Sequence, residues 1–172
     1  VLLVGESGAG KSTLAYLAQT EGLEVLSEDT VWIQIIPVLR VWGRPRALHL
    51  LPGAEAHFPE LRANAVSLRP NGKSKLTVPT GPADEQWTCA VNGAMVCLLQ
   101  RGAASAQLSR LGTAAVYEAL ARSPSAGFDR YPERREECAR RLAENGGWQL
   151  SLSADPREAL PLLRELIRNG AA

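Results

Sequence analysis

A lysine and two hydroxyl residues, Lys11, Ser12 and Thr13, follow the run Gly5-Glu6-Ser7-Gly8-Ala9-Gly10. Residues 5–12 fit the pattern G-x-x-x-x-G-K-[ST] without a mismatch. A polyphosphate carries several negative charges and must be wrapped by donors. Glycines let consecutive backbone N–H groups converge on an anion with no side chain in the way. A helix starting near Lys11 adds its positive dipole end. Lys11 then reaches the β- and γ-phosphates as a mobile charge, and Ser12 offers a hydroxyl oxygen to Mg²⁺. The pattern predicts a bound nucleoside triphosphate, such as ATP, held with Mg²⁺. A glycine-rich turn that merely caps a helix is the plain alternative.

Phosphate binding alone names no reaction. Chemistry at the γ-phosphate also needs an acid for the metal or for the proton of the attacking hydroxyl. The apolar run 94–99 ends in Gln100-Arg101 and offers no acid. The acidic pair Glu28-Asp29 lies 17 and 18 residues after Lys11. Asp29 is the first choice for accepting the proton, or for holding the metal beside Ser12. It is expected nearer to Lys11 and Ser12, with Glu28 the more replaceable. A solvated acidic turn is again the alternative.

These groups need elements to hold them. Residues 1–4 read as a short buried strand. Residues 11–21 read as a helix, with Leu14, Leu17 and Ala18 at helical spacing and Gly22 as its stop. Strands are expected at 23–27 and 30–36, so that the acids sit at a hairpin turn. Beyond them come a strand at 47–51, helical turns at 58–63, a loop at 64–72 and strands at 75–78 and 91–100. The segment 81–86 between these strands is too polar and turn-rich to pack. Helices are predicted at 108–121 and 132–144, and a strand at 148–152. A last helix is capped by Asp155-Pro156-Arg157-Glu158 and carries Ala159, Leu160, Leu163, Leu166 and Ile167 on one face. Pro161 should fray or kink its first turn. The pattern predicts a single α/β domain over 1–172 with a mixed sheet. Val1 already lies inside a strand-like run, so upstream strands are expected to be missing. The first strand would then be central, beside an empty place through which copies can associate.

Composition excludes several classes. Net charge is +1, which gives no bulk electrostatic case for nucleic acid or an anionic membrane. No apolar run is long enough to span a bilayer. Cys89, Cys97 and Cys138 lack ligand spacing and read as reduced thiols of a cytoplasmic protein. Arg40, Arg44 and Arg46, around Gly43 and Pro45, fit either a clamp for phosphate or carboxylate or a solvated turn. Lys73, Lys75 and Arg101 could likewise line the site, but a solvent-facing position is the better reading. His49 and His57, without an acid or thiol partner at ligand spacing, read as packed or exposed. The arginines and glutamates of 134–141 read as a self-neutralising helix face.

The stretch GESGAGKST, followed by GLEVLSEDTVWI, resembles the core of HPr kinase/phosphorylase and its relatives. The resemblance is dense over 1–36 and diffuse afterwards. It implies the fold shared with phosphoenolpyruvate carboxykinase, and an acidic pair working with the phosphate loop. Three features depart from the family. Glu28 stands where it usually has Asp, the glycine-rich segment containing Arg is missing, and so is the basic C-terminal element. The likeness is therefore to the wider kinase-like group, including small kinases of peptide-biosynthesis systems. Phosphorolysis and HPr as substrate are not implied. Three readings stand: a kinase acting on a hydroxyl, most simply serine, of a protein, peptide or small molecule; a hydrolase or switch; and a non-enzymatic nucleotide-binding module.

Lys11→Ala removes a charge that no neighbour in the motif replaces. Affinity for magnesium–nucleotide, or turnover, should fall at least about tenfold, or roughly 1.4 kcal/mol. Titration of both proteins checks this, and equal affinity with equal turnover would refute the motif.

Overall fold

The protein is seen in a computed structural model that describes residues 1–44, 46–69, 72–80, 88–91, 94–122 and 131–170. In chain order its elements are β1 (Leu2–Val4), α1 (Lys11–Thr20), β2 (Trp32–Gln34), β3 (Arg40–Gly43), β4 (Ala47–Leu50), β5 (Val66–Leu68), β6 (Ser74–Pro79) and β7 (Thr88–Val91). There follow β8 (Val96–Arg101), β9 (Gln107–Leu111), α2 (Thr113–Ala121), α3 (Pro132–Ala143), β10 (Gly147–Leu152) and α4 (Ala159–Gly170). Short 3-10 turns lie at Pro52–Ala56, Pro59–Ala63 and Pro156–Glu158.

The main sheet has the order β1-β8-β10-β9, with β1, β8 and β10 parallel and β9 antiparallel. Alternation along β8 decides its layering. Cys97 and Leu99 face a core with Leu14 of α1 and Leu166 of α4. Val96 and Leu98 face the opposite core, with Val116 of α2 and with Leu142 and Ala143 of α3. Helices thus cover both faces. The chain is α/β with a mixed sheet.

Two antiparallel sheets complete the molecule, β2-β3-β7 and β4-β6-β5. The second of these packs on α1 from the side away from the main sheet. Tyr16 and Leu17 join Leu48, Leu50, Leu76, Phe58 and Leu61 in one buried cluster. Burial of Leu14 and of Leu17 contributes about 1.5–3 kcal/mol each, and Tyr16, two residues after Leu14, points from the opposite side of the helix. Tyr16 also donates its hydroxyl to Glu60 (2.9 Å) and meets Phe58 edge to face. Burial, then this hydrogen bond, pushes the Tyr16 hydroxyl up to about 12.

Several sequence expectations are corrected. Residues 23–27 form no strand, although Leu23, Val25 and Leu26 are partly buried. Their side chains suit a strand, but no ladder partner faces them among the described residues, and the expected hairpin around Glu28 and Asp29 is not formed there. The expected loop 64–72 contains β5, which pairs with β6 while leaving Val66 and Leu68 exposed. The expected helix 108–121 is β9 followed by α2, because 107–111 pairs with β10 and Gly112 starts the helix. Of the expected strand 91–100, Val91 ends β7 and 96–100 belong to β8. The segment 81–86, like Pro45, lies outside the described residues, as do residues 92 and 93. Strand β1 is not central. It stands at the edge of its sheet, with β8 as its one partner among the described residues. Among those residues, no helix is long and apolar enough to cross a membrane.

Other expectations hold. The α3 arginines pair with glutamates on an exposed face, as Arg140 with Glu136 and Arg141 with Glu144. Asp155 caps the C-terminal helical segment by accepting from Arg157 N, and the first turn is 3-10 rather than α. Cys97 is buried and free, and burial pushes its thiol up to about 11.

Buried Gly43 is where the segment carrying the acids crosses β3. A Cβ there would lie 2.3 Å from the Leu26 carbonyl oxygen. Gly43→Ala must therefore displace the backbone just before Glu28. A loss of about 1–3 kcal/mol is expected, read as a lower urea midpoint at unchanged slope. An unshifted midpoint would show that the segment does not press on β3.

Candidate functional site

The parallel strands β1, β8 and β10 end at one rim, and three of the cavity's walls begin there. Such a rim is where open α/β sheets place their ligands. The cavity measures about 480 Å³ and is lined by Ser7, Gly8, Gly10, Lys11, Ser12 and Thr13 after β1. Arg101 comes from the end of β8, and Leu152 to Ala154 and Pro156 follow β10. The fourth wall is the β4-β6-β5 sheet with its following turns, through His49, Gly53, Ala54, His57, Lys73 and Lys75. Arg157 holds that wall to α4 by donating to the His57 carbonyl (2.8 Å) and lying over the Phe58 ring.

Local geometry makes the 5–12 loop a donor cradle. Gly10 caps α1 with φ 102°, a conformation that side-chain-bearing residues rarely adopt. No side chain caps α1, and its first turn has no acid. The first N–H groups of the helix are left for an external acceptor. Lys11 lies back over the loop and donates to the carbonyls of Gly5 (2.8 Å) and Glu6 (2.9 Å). Burial holds its ammonium below the usual lysine range; Asp29 opposes this, Lys75 adds to it, and Glu28 opposes it more weakly. Two further cations touch the same loop. Lys73 donates to Ser7 Oγ (2.9 Å) and Arg101 to the Gly8 carbonyl (3.3 Å). Neither Glu6 nor Ala9 lines the cavity, and the Ala9 amide donates to the Glu6 carbonyl within the turn.

The acids divide their work. Ser12 Oγ donates to Glu28 Oε1 at 2.9 Å, so the carboxylate touching the hydroxyl is Glu28, where Asp29 was expected. The same oxygen accepts the His49 backbone N–H (2.8 Å), and Oε2 lies 2.6 Å from His49 Nδ1. The Glu28 side chain is thereby largely covered, with 7% of it exposed. It is the less replaceable acid by its contacts, against expectation. Asp29 is exposed and lines the cavity. Potential ligand atoms of Glu28, Asp29 and His49 all lie within 4.8 Å of one another.

The sequence reads the two histidines as packed or exposed, and Lys73, Lys75 and Arg101 as better suited to solvent than to the site, yet all five line the cavity. His49 alternates with the buried Leu48 and Leu50 along β4, which turns its ring away from the core. Its acid partner lies 21 residues earlier, beyond any local ligand spacing. Lys75 alternates with the buried Leu76 in the same way, and its ammonium donates to the His49 carbonyl. By contrast Arg40, Arg44 and Arg46 do not line the cavity. No family model matches the chain, and neither does any curated protein or solved structure.

Glu28→Ala strands the Ser12 hydroxyl and two donors of His49 in a largely buried place. The ligand-free protein should lose about 1–3 kcal/mol for each donor that finds no water. Urea unfolding tests this, and a loss below about 0.5 kcal/mol would mean that these bonds do not hold the segment.

Proposed function

We propose that the chain is a nucleoside-triphosphate-dependent kinase that transfers the γ-phosphoryl group to a hydroxyl, most simply serine, of a protein, peptide or small molecule. One observation carries the reading. The hydroxyl of Ser12, at the start of α1, is hydrogen-bonded to an acid from a distant segment, inside a cavity rimmed by four cations. A phosphate-binding turn without chemistry needs the cradle but not the acids.

The donor set fits the triphosphate and its ion. Lys11, Lys73, Lys75 and Arg101 oppose the charge of the polyphosphate, and Gly8 and residues 10–13 line the space it would fill. Mg²⁺ takes oxygen ligands, and the Ser12 hydroxyl and the Asp29 carboxylate would supply them. Glu28 is not needed as a ligand. Its oxygens already serve three donors, and by accepting the Ser12 proton it leaves the lone pairs of Oγ for the ion. When bound, the ion neutralises charge on the β- and γ-phosphates. The remaining work, which is binding, orientation and exclusion of water, belongs to the walls described above.

The phosphoenolpyruvate-carboxykinase-like fold belongs to the same proposal, resting on the 1–36 resemblance and on the strand–loop–helix arrangement of β1 and α1. Hydrolysis with water as acceptor is the rival, as is retention of the nucleotide without turnover. Product analysis separates the three: a phosphorylated acceptor, free phosphate alone, or neither.

Asp29→Asn keeps the shape and removes the charge. Phosphoryl transfer should fall by about a hundredfold or more, with a much smaller change in nucleotide affinity. Steady-state rates beside calorimetric binding decide it, and unchanged turnover would exclude Asp29 from the chemistry.

A further inference from the structure

We infer that His49 is the general base of this site and that Glu28 is its positioning residue, an assignment that rests on the phosphoryl-transfer reading above. Glu28 is an acceptor-only carboxylate. At 2.6 Å from Nδ1 it fixes the tautomer in which Nδ1 carries the hydrogen. The lone pair is then on Nε2. That nitrogen has no hydrogen-bond partner among the described residues, and the His49 ring lines the cavity.

The spacing argues against a metal between the two groups. Two ligand atoms bound to one divalent ion at about 2.0–2.2 Å each stand roughly 3 Å or more apart. The Nδ1–Oε2 distance is 2.6 Å, which is a charge-assisted hydrogen bond. A carboxylate orienting one imidazole nitrogen, with the other facing the reactant, is the arrangement that activates hydroxyl nucleophiles in unrelated enzymes. Asp29 is the competing base, but in the reading above its carboxylate would serve the ion, which leaves the Nε2 lone pair for the acceptor's proton.

Glu28 also receives the Ser12 hydroxyl, so a single carboxylate sets both the phosphate-side hydroxyl and the base. In the step, the oxygen of the acceptor hydroxyl bonds to the γ-phosphorus and its proton goes to Nε2. The bond from γ-phosphorus to the β–γ bridging oxygen breaks, and its electron pair leaves with the nucleoside diphosphate. The proton then passes from Nε2 to bulk water. Nothing is oxidised or reduced.

The test uses the whole chain, magnesium–ATP, and water as the probe acceptor, with release of inorganic phosphate as the rate. His49→Gln and His49→Ala should lower kcat by about a hundredfold and change KM and ADP affinity less than threefold. Imidazole added to His49→Ala should restore at least a tenth of the lost rate, because it can occupy the vacated space beside Glu28. A purely structural role would not respond to imidazole, and circular dichroism with a urea midpoint separates unfolding from chemistry. The assignment is overturned if His49→Gln keeps kcat within threefold, if folded His49→Ala shows no rescue, or if wild type binds ATP yet releases no phosphate. If instead wild type and Lys11→Ala bind magnesium–ATP equally weakly, the nucleotide reading itself has failed.

Discussion

Burial of α1 on two sides governs the molecule. Leu14 is locked into the core of the main sheet, while Tyr16 and Leu17 are locked into that of the β4-β6-β5 sheet. A helix held from opposite sides cannot swing without opening both cores, and close-packed interiors resist such opening. Its N-terminus is therefore fixed at the seam between two sheets. Everything that faces that seam, from the carboxyl rim of one sheet and the polar face of the other, converges on the first turn of α1. The cavity follows from this placement rather than from any one loop.

Glu28 extends the same constraint sideways. It reaches from an irregular segment to α1 through Ser12 and to β4 through both donors of His49. An irregular segment has no ladder to define its position, so a largely covered carboxylate with three donors takes over that role. Burying a charge is unfavourable unless it is fully hydrogen-bonded, and here both oxygens are engaged. Gly43 makes the approach feasible by letting the Leu26 carbonyl lie against β3. Packing on one side and a charge-assisted network on the other thus define where the acids stand.

What the sequence could convey follows the range of the interactions. The 5–12 loop, the helix after it and the strand at 148–152 are local patterns, and they were legible as such, while the expected strand 91–100 overshoots the start of β8. The strand-like content of 23–27 was legible too, but a strand also needs a neighbour, and pairing is a tertiary decision. The same reason turned 108–111, the start of an expected helix, into part of β9 beside β10. At the site, residues 5–13 and the acids could be named because they are close in sequence. His49, Lys73, Lys75 and Arg101 rank as solvent-facing or packed instead, since they come from three strands or strand ends that meet only in the fold. A weak signal did exist. A polar residue between two leucines, as in Leu48-His49-Leu50, marks the face of a strand that is turned away from the core.

The posture of Lys11 has a consequence for selectivity. Its ammonium is already satisfied by two main-chain carbonyls, and Arg101 is similarly engaged with a third. The cradle therefore carries its own counter-dipoles and keeps its form with no anion inside. An arriving anion must outbid these oxygens, so what counts is the difference between two well-made sets of contacts. A lone singly charged ion offers each cation little more than the carbonyl it surrenders. A chain of linked phosphates releases several cations from their carbonyls in one encounter, and the gains accumulate while the loss of translational freedom is incurred once. The resting self-contacts act as a threshold that discriminates by valence.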